Sequence, residues 1–195
     1  MECSTLNKLY VWCLKNHYDK NDHHPEHFNN PENEMPIIAR MELTCDLLAC
    51  VLGVYNKKNI PASLSECRFV IENEKWKNWK FALKEYLPMP SNNAFDRGER
   101  WIHFPHEEKI KLDKLFQEYK NGTCVEFIKD KLEKLNSVQY YLEDLHQHKR
   151  AIYEVWNQIP KFKVPEMKER IEKHDNDKFD TIMILGYTAK WCFNN

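Results

Sequence analysis

"IIARMELTCDLLACVLGVY", residues 37–55, decides the architecture. It reads as a strongly apolar helix over roughly 36–55, with apolar residues nearly all the way round. The uninterrupted part, Leu43–Tyr55, is too short to span a bilayer and carries Asp46. A carboxylate in such surroundings costs several kcal/mol if it has no partner, so Asp46 is expected to be protonated, ion-paired or bound to a metal. Glu42 lies one turn earlier on the same face. The purely structural alternative is a buried pair with an arginine such as Arg40 or Arg68.

Helical period continues outward from this segment. Residues 3–17 place Leu6, Leu9, Tyr10, Cys13 and Leu14 on one side, and helices are expected over 64–87, 105–120, 123–135, 137–158, 164–175 and 178–193. Ser63 and Ser65 are both candidates to cap the 64–87 helix. "DKNDHHPEHFNNPENEMP" (19–36) is too rich in proline and asparagine to be regular, and "MPSNNAFDRGER" (89–100) reads as loop. "KNGTC" at 120–124 looks like a joint, and "KDKLEKLNS" after it like a solvated helix with little to bury. The fold class expected is all-α, a compact helical bundle.

Several functions are excluded by composition. There are four glycines, at 53, 98, 122 and 186, and no two are close. A P-loop, a Rossmann turn and a Gly-x-Ser-x-Gly elbow each need clustered glycines. A formal charge of −1 gives no global attraction to nucleic acid or acidic lipid. Seven cysteines, at 3, 13, 45, 50, 67, 124 and 192, contain no C-x-x-C pair, which suits reduced thiols in a cytoplasmic, intracellular protein. The 195 residues fit a single domain.

Nine histidines supply the candidate ligands. In the 137–158 helix the apolar stripe Val138, Leu142, Leu145, Ile152, Val155 is completed by His148, with His146 off that face. In the 164–175 helix Val164, Met167 and Ile171 step on to His174, which Asp175 follows. His17, His23, His24 and His27 fall within eleven residues, in and beside a loop that cannot bury much. Imidazole is the commonest ligand for transition metals at neutral pH, so a metal is the expected reason for this grouping.

Inward His148, His174-Asp175 and Asp46 form the set His…His-Asp…Asp, which resembles the HD superfamily of metal-dependent phosphohydrolases. The family order is His, His-Asp, His, His(-His), Asp. Starting at His148, passing the C-terminus and re-entering at Met1, the chain reads His148, His174-Asp175, His17, His23-His24, Asp46. More closely, it resembles a small HD-like family described only as a domain of unknown function. That family's pattern has His-Asp-Ser-Lys-Phe, Trp-x-x-x-His, Asn-x-His-His-x-Glu, Met-Pro and Glu-Met-x-Cys-Asp-Trp. The corresponding stretches here are "HDNDKF" (174–179), "WCLKNH" (12–17), "NDHHPEHF" (21–28), "MP" (35–36) and "ELTCDL" (42–47). Asn176-Asp177 departs from the pattern, as do Leu43 and Leu47, and His17 falls one residue late after its Trp.

The resemblance implies an HD-like, circularly permuted single domain. Its core blocks would be 1–55 and 137–195, with peripheral helices over 64–120 and the old termini joined through about 120–136. It also implies one or two divalent ions (Mn, Fe, Co, Zn or Mg). One would take His148, His174, Asp175 and Asp46; the second would take Asp175, His17 and His23 or His24. Lys178 would pair with a phosphate oxygen, and Glu42 would orient a ligand or shuttle a proton. The implied activity is hydrolysis of a nucleotide or other small phosphate ester. The alternatives are an HD-fold di-iron oxygenase, or a non-catalytic module that binds a ligand or partner. Trp12, Tyr18 and Trp101 are candidate pocket walls, and His103 and His106 a candidate phosphate-bearing mouth. The aromatics at 76, 79 and 81 are expected to be packing.

Overall fold

The computed structural model describes residues 5–58, 61–73, 77–83 and 103–193. Among them are nine α-helices and no strands, which is the all-α class expected. In chain order they are α1 (Leu6–Lys20), α2 (Pro31–Glu34), α3 (Ile37–Lys57), α4 (Leu64–Asn73), α5 (His106–Lys120), α6 (Val125–Leu132), α7 (Asn136–Gln158), α8 (Pro165–Lys173) and α9 (Thr181–Phe193). Four 3₁₀ segments join them: Pro25–His27, Lys77–Ala82, Pro160–Phe162 and Asn176–Phe179. No helix among the described residues is long and apolar enough to cross a membrane.

Local chemistry sets the helix ends. Ser63 and Glu66 form a capping box: the Ser63 backbone N–H donates to Glu66 Oε2 at 2.7 Å, and the Glu66 N–H donates to Ser63 Oγ at 3.3 Å. Ser63, not Ser65, is therefore the cap. Pro165 opens α8, where its missing N–H costs nothing. Gly122, at φ 82°, turns the chain after α5, a conformation that favours glycine.

The chain divides into two units. The first comprises Met1–Asp19, Arg100–His146 and Asp175–Asn195, and the second Lys20–Glu99 and Gln147–His174. In the first unit, Leu6, Leu9 and Cys13 of α1 pack with Leu112 and Phe116 of α5, Ile128 and Leu132 of α6, and Met183 to Leu185 of α9. The 120–136 segment thus buries more than its charges suggest, since one face of α6 is apolar and core-bound. The first and last helices are antiparallel neighbours in this unit: Tyr10 meets Tyr187 edge-on, and Cys13 Sγ lies 3.5 Å from the Ile182 carbonyl. They approach so closely that a Cβ at Gly186 would stand 2.7 Å from Cys13 Sγ.

In the second unit α3 is the axis. Leu43, Leu47, Leu48, Val51, Leu52 and Tyr55 lie in a core shared with Cys67 and Ile71 of α4, Ile152 and Val155 of α7, and Met167 and Ile171 of α8. Phe81 is buried in that core and Trp79 packs against it, so both serve packing as expected. Trp76 and Trp101 lie outside the described residues.

Three expectations about regular structure are corrected. Of the helix expected over 64–87, the described residues form α-helix over Leu64–Asn73 and 3₁₀ helix over Lys77–Ala82. The histidine-bearing stretch is not an exposed irregular loop. α1 continues to Lys20, Pro25–His27 and α2 are short helical turns, and His17, His23 and His24 are buried. The eighth helix stops at Lys173, two residues earlier than its period suggests, because His174 turns extended (φ −50°, ψ 129°) and Asp175 adopts the left-handed conformation (φ 58°, ψ 16°). Asp and Asn tolerate that region and offer the backbone local alternatives to helix, so "HDND" ends the helix rather than extending it.

Candidate metal centre

Within the second unit, α3 presents Glu42 and Asp46 one turn apart, α7 presents His148, and the segment after α8 presents His174. The pair on which the metal reading depends is close: Asp46 Oδ1 lies 3.8 Å from His174 Nε2. The same oxygen lies 3.0 Å from His148 Nε2. His23, Asp46 and His174 each offer a ligand atom, all within 4.8 Å of one another. Ligand atoms sharing one ion with bonds of about 2.0–2.3 Å stand roughly 3–4.5 Å apart, so this donor set fits a divalent cation.

Glu42 anchors the cluster. It is only 4% exposed, and its Oε1 accepts from His174 Nδ1 at 2.9 Å and lies 3.3 Å from His23 Nδ1. Its Oε2 accepts from Arg170 Nε at 2.6 Å, and the Arg170 guanidinium also bonds Asp22. A carboxylate that takes the Nδ1–H of His174 leaves that ring's Nε2 lone pair for a cation, the arrangement seen behind most metal-bound histidines. Burial works against the Arg170 charge, yet the hydrogen bond to Asp22 and the charge of Glu42 raise its pKa above the ordinary value. The arginine partner of this acidic face is thus Arg170. Arg40 instead donates to the Met35 and Glu32 carbonyls, and Arg68 pairs with Glu72.

In the first unit a second set gathers around Asp175, which is 1% exposed. Its Oδ1 lies 3.3 Å from His17 Nε2, and its Oδ2 accepts from Lys178 Nζ at 2.8 Å. His17 Nδ1 meets Asp177 Oδ2 at 2.8 Å. Burial alone would depress the His17 pKa, but the hydrogen bonds to Asp175 and Asp177 outweigh it and the pKa is raised. The left-handed backbone at Asp175 costs about 1 kcal/mol, a kind of strain that collects at functional sites. Tyr141 donates to the Lys178 carbonyl at 3.4 Å. Burial, with the charge of Asp175 nearby, pushes its phenol well above the ordinary range.

His24 is buried beside His23, with ring centroids 4.2 Å apart. His27 is exposed, and His146 packs on Phe179. Trp12 packs against the core of the first unit. His103 and His106 line a cavity of 310 Å³ with Phe104, Lys109, Cys192 and Phe193. Three features escaped sequence reasoning: Arg170, Asp177 and Cys50. Arg170 could have been found as the one basic residue a turn before His174. Cys50 follows Glu42 and Asp46 at the same four-residue step.

The described residues form an all-α protein with a buried His/Asp cluster that could hold a metal ion. A model of the family of unknown function DUF5662 matches residues 4–89, less than half the chain. That stretch holds His17, His23, His24, Glu42 and Asp46, and leaves His148 and His174-Asp175 outside it. No curated protein and no solved structure matches the chain.

Proposed function

We propose that this protein is a metal-dependent phosphohydrolase of HD type, acting on a nucleotide or other small phosphate ester. The observation that carries the reading is the convergence of Asp46 and His174, 128 residues apart in the chain, to 3.8 Å, with His148 Nε2 3.0 Å from the same carboxylate oxygen. His148, His174, Asp46 and His23 would hold a divalent ion. Asp175, which follows His174 directly in the chain, and His17 would serve a second, as the resemblance implies. A bound ion supplies positive charge that polarises a phosphoryl oxygen and acidifies a water molecule.

The chain's own residues do the rest. Glu42 orients the imidazole of His174 through its Nδ1 and stands beside His23 Nδ1, with Arg170 hydrogen-bonded to its other oxygen. Lys178, now paired with Asp175, offers a cation to a phosphate oxygen. The permuted single-domain organisation belongs to the same proposal. It is supported by the antiparallel packing of α1 and α9, which brings the two ends of the described chain to the same end of that helix pair. No disulfide joins the six described cysteines, which suits a reducing, cytoplasmic setting.

Elemental analysis of the purified protein beside His174→Ala and Asp46→Ala is the first test. Near-stoichiometric metal in the parent and its loss in both variants supports the centre; unchanged metal in either overturns it. A panel of nucleotides and phosphate esters with Mn, Co, Zn, Fe and Mg follows. Turnover that both variants abolish supports the hydrolase. Silence across the panel with bound iron points to the oxygenase.

A further inference from the structure

Resting on that metal reading, we propose that Cys50 is a thiolate ligand of the same centre, and that Asp46, Cys50 and His148 select a borderline transition ion (zinc, cobalt or ferrous iron) over magnesium. Glu42, Asp46 and Cys50 follow one another at four-residue spacing on α3, so their side chains rise from one face of the helix. Glu42 reaches the far side of the imidazoles; Asp46 and Cys50 remain to face an ion. Cys50 Sγ lies 3.8 Å from Asp46 Oδ1, and His148 Nε2 lies 3.0 Å from that same oxygen. Ligand atoms of the three residues all fall within 4.8 Å of one another. A tetrahedral ion with an M–S bond of about 2.3 Å and an M–O bond of about 2.0 Å sets sulfur and oxygen roughly 3.5 Å apart, so a shift of a few tenths of an ångström closes the shell.

A second relation points the same way. Asp46 belongs to two triads, one with Cys50 and His148 and one with His23 and His174, and the His174 distance is measured to the same Oδ1. That oxygen stands between a sulfur and at least two imidazole nitrogens, a donor set of mixed softness. The first triad is half-buried, whereas His23 and His174 are buried, so the sulfur sits on the more open side of the centre. Thiolate and imidazole suit zinc, cobalt and iron; magnesium demands near-octahedral oxygen and keeps its waters. The ligand set implied by the HD resemblance contains no sulfur, which makes Cys50 a property of this chain.

Alkylation of the full chain by iodoacetamide, mapped by peptide mass spectrometry, tests it with zinc alone as the probe. Exposed Cys124 is the internal reference. A coordinated thiolate is shielded, so zinc should slow Cys50 alkylation by about tenfold or more relative to the chelator-treated protein and leave Cys124 unchanged. In the cobalt form a thiolate-to-cobalt charge-transfer band should appear in the near ultraviolet. It should vanish in Cys50→Ser and Cys50→Ala while elemental analysis still finds the ion. A parent protein that holds one equivalent of zinc yet alkylates Cys50 at the metal-free rate overturns the inference and leaves the metal centre standing. So does a cobalt spectrum that the substitutions do not change. A parent protein that retains neither zinc nor cobalt overturns both.

Discussion

Replacing Glu42 by glutamine isolates one atom's worth of chemistry at the centre. Glu42 offers two acceptor oxygens, one to His174 Nδ1 at 2.9 Å with His23 Nδ1 at 3.3 Å, the other to Arg170 Nε at 2.6 Å. A glutamine of the same shape offers one acceptor and one N–H₂. In either orientation a donor meets a donor, against Arg170 or against the imidazoles. Because Arg170 cannot give up its proton, the amide oxygen goes to Arg170 and the imidazole must accept from the amide instead. That switches the His174 tautomer, places its proton on Nε2, and removes the lone pair aimed at Asp46. Loss of such an outer partner weakens metal binding roughly 10–100-fold, or about 1.4–2.8 kcal/mol. Replacing charged hydrogen bonds in the buried cluster costs the metal-free fold about 1.5–3 kcal/mol as well. Competition with a chromophoric chelator measures the first quantity, and urea unfolding of the metal-free protein the second. Wild-type metal affinity in a folded Glu42→Gln protein would refute the reasoning, as would an affinity loss fully explained by the unfolded fraction.

Other outcomes follow from the packing. A Cβ at Gly186 would meet Cys13 Sγ at 2.7 Å and both Leu9 Cγ and the Tyr10 Cα at 3.4 Å, so Gly186→Ala should cost about 1–3 kcal/mol by calorimetry or urea unfolding. Gly53, interior to α3, has nothing within 4 Å, so Gly53→Ala should stabilise by about 0.5–1 kcal/mol. Glu108 of α5 caps α7 from a distance, accepting from the Ser137 N–H at 2.7 Å and the Asn136 N–H at 3.3 Å. Burial opposes its charge, but these bonds outweigh that and hold its pKa below the ordinary value. Its contribution is therefore present above the unfolded carboxyl pKa and is lost as pH falls through the lower folded value. Glu108→Gln should cost about 1–2 kcal/mol at neutral pH and flatten the acid limb of a stability-versus-pH curve. An unchanged limb would show that the cap contributes nothing.

Period and composition carried the architecture. Apolar residues at three- and four-residue steps, with too few glycines for hairpins, left helices as the way to bury the chain, and the helices are there. The site was legible in part for the same reason. A lone charge inside the apolar run of α3 singled out Asp46, and the stripe of α7 pointed His148 inward. His174 was expected inward on helical period, yet it reaches its place from an extended residue beyond the helix end, which period cannot describe.

What the amino-acid order determined by itself was which face of each helix leaves water, because burial of apolar area is a sum over local pattern. What tertiary structure alone decided was who stands opposite that face. Glu42 met Arg170 rather than Arg40 or Arg68, His23 turned toward Glu42 from a stretch that reads as a loop able to bury little, and Cys50 came within reach of His148. Hydrogen bonds and metal ligation depend on distance and direction to tenths of an ångström, between residues such as Glu42 and Arg170 that stand 128 positions apart. Local pattern can place a residue on a face but not at such a distance, so the pairing of buried charges is settled only once the chain is folded.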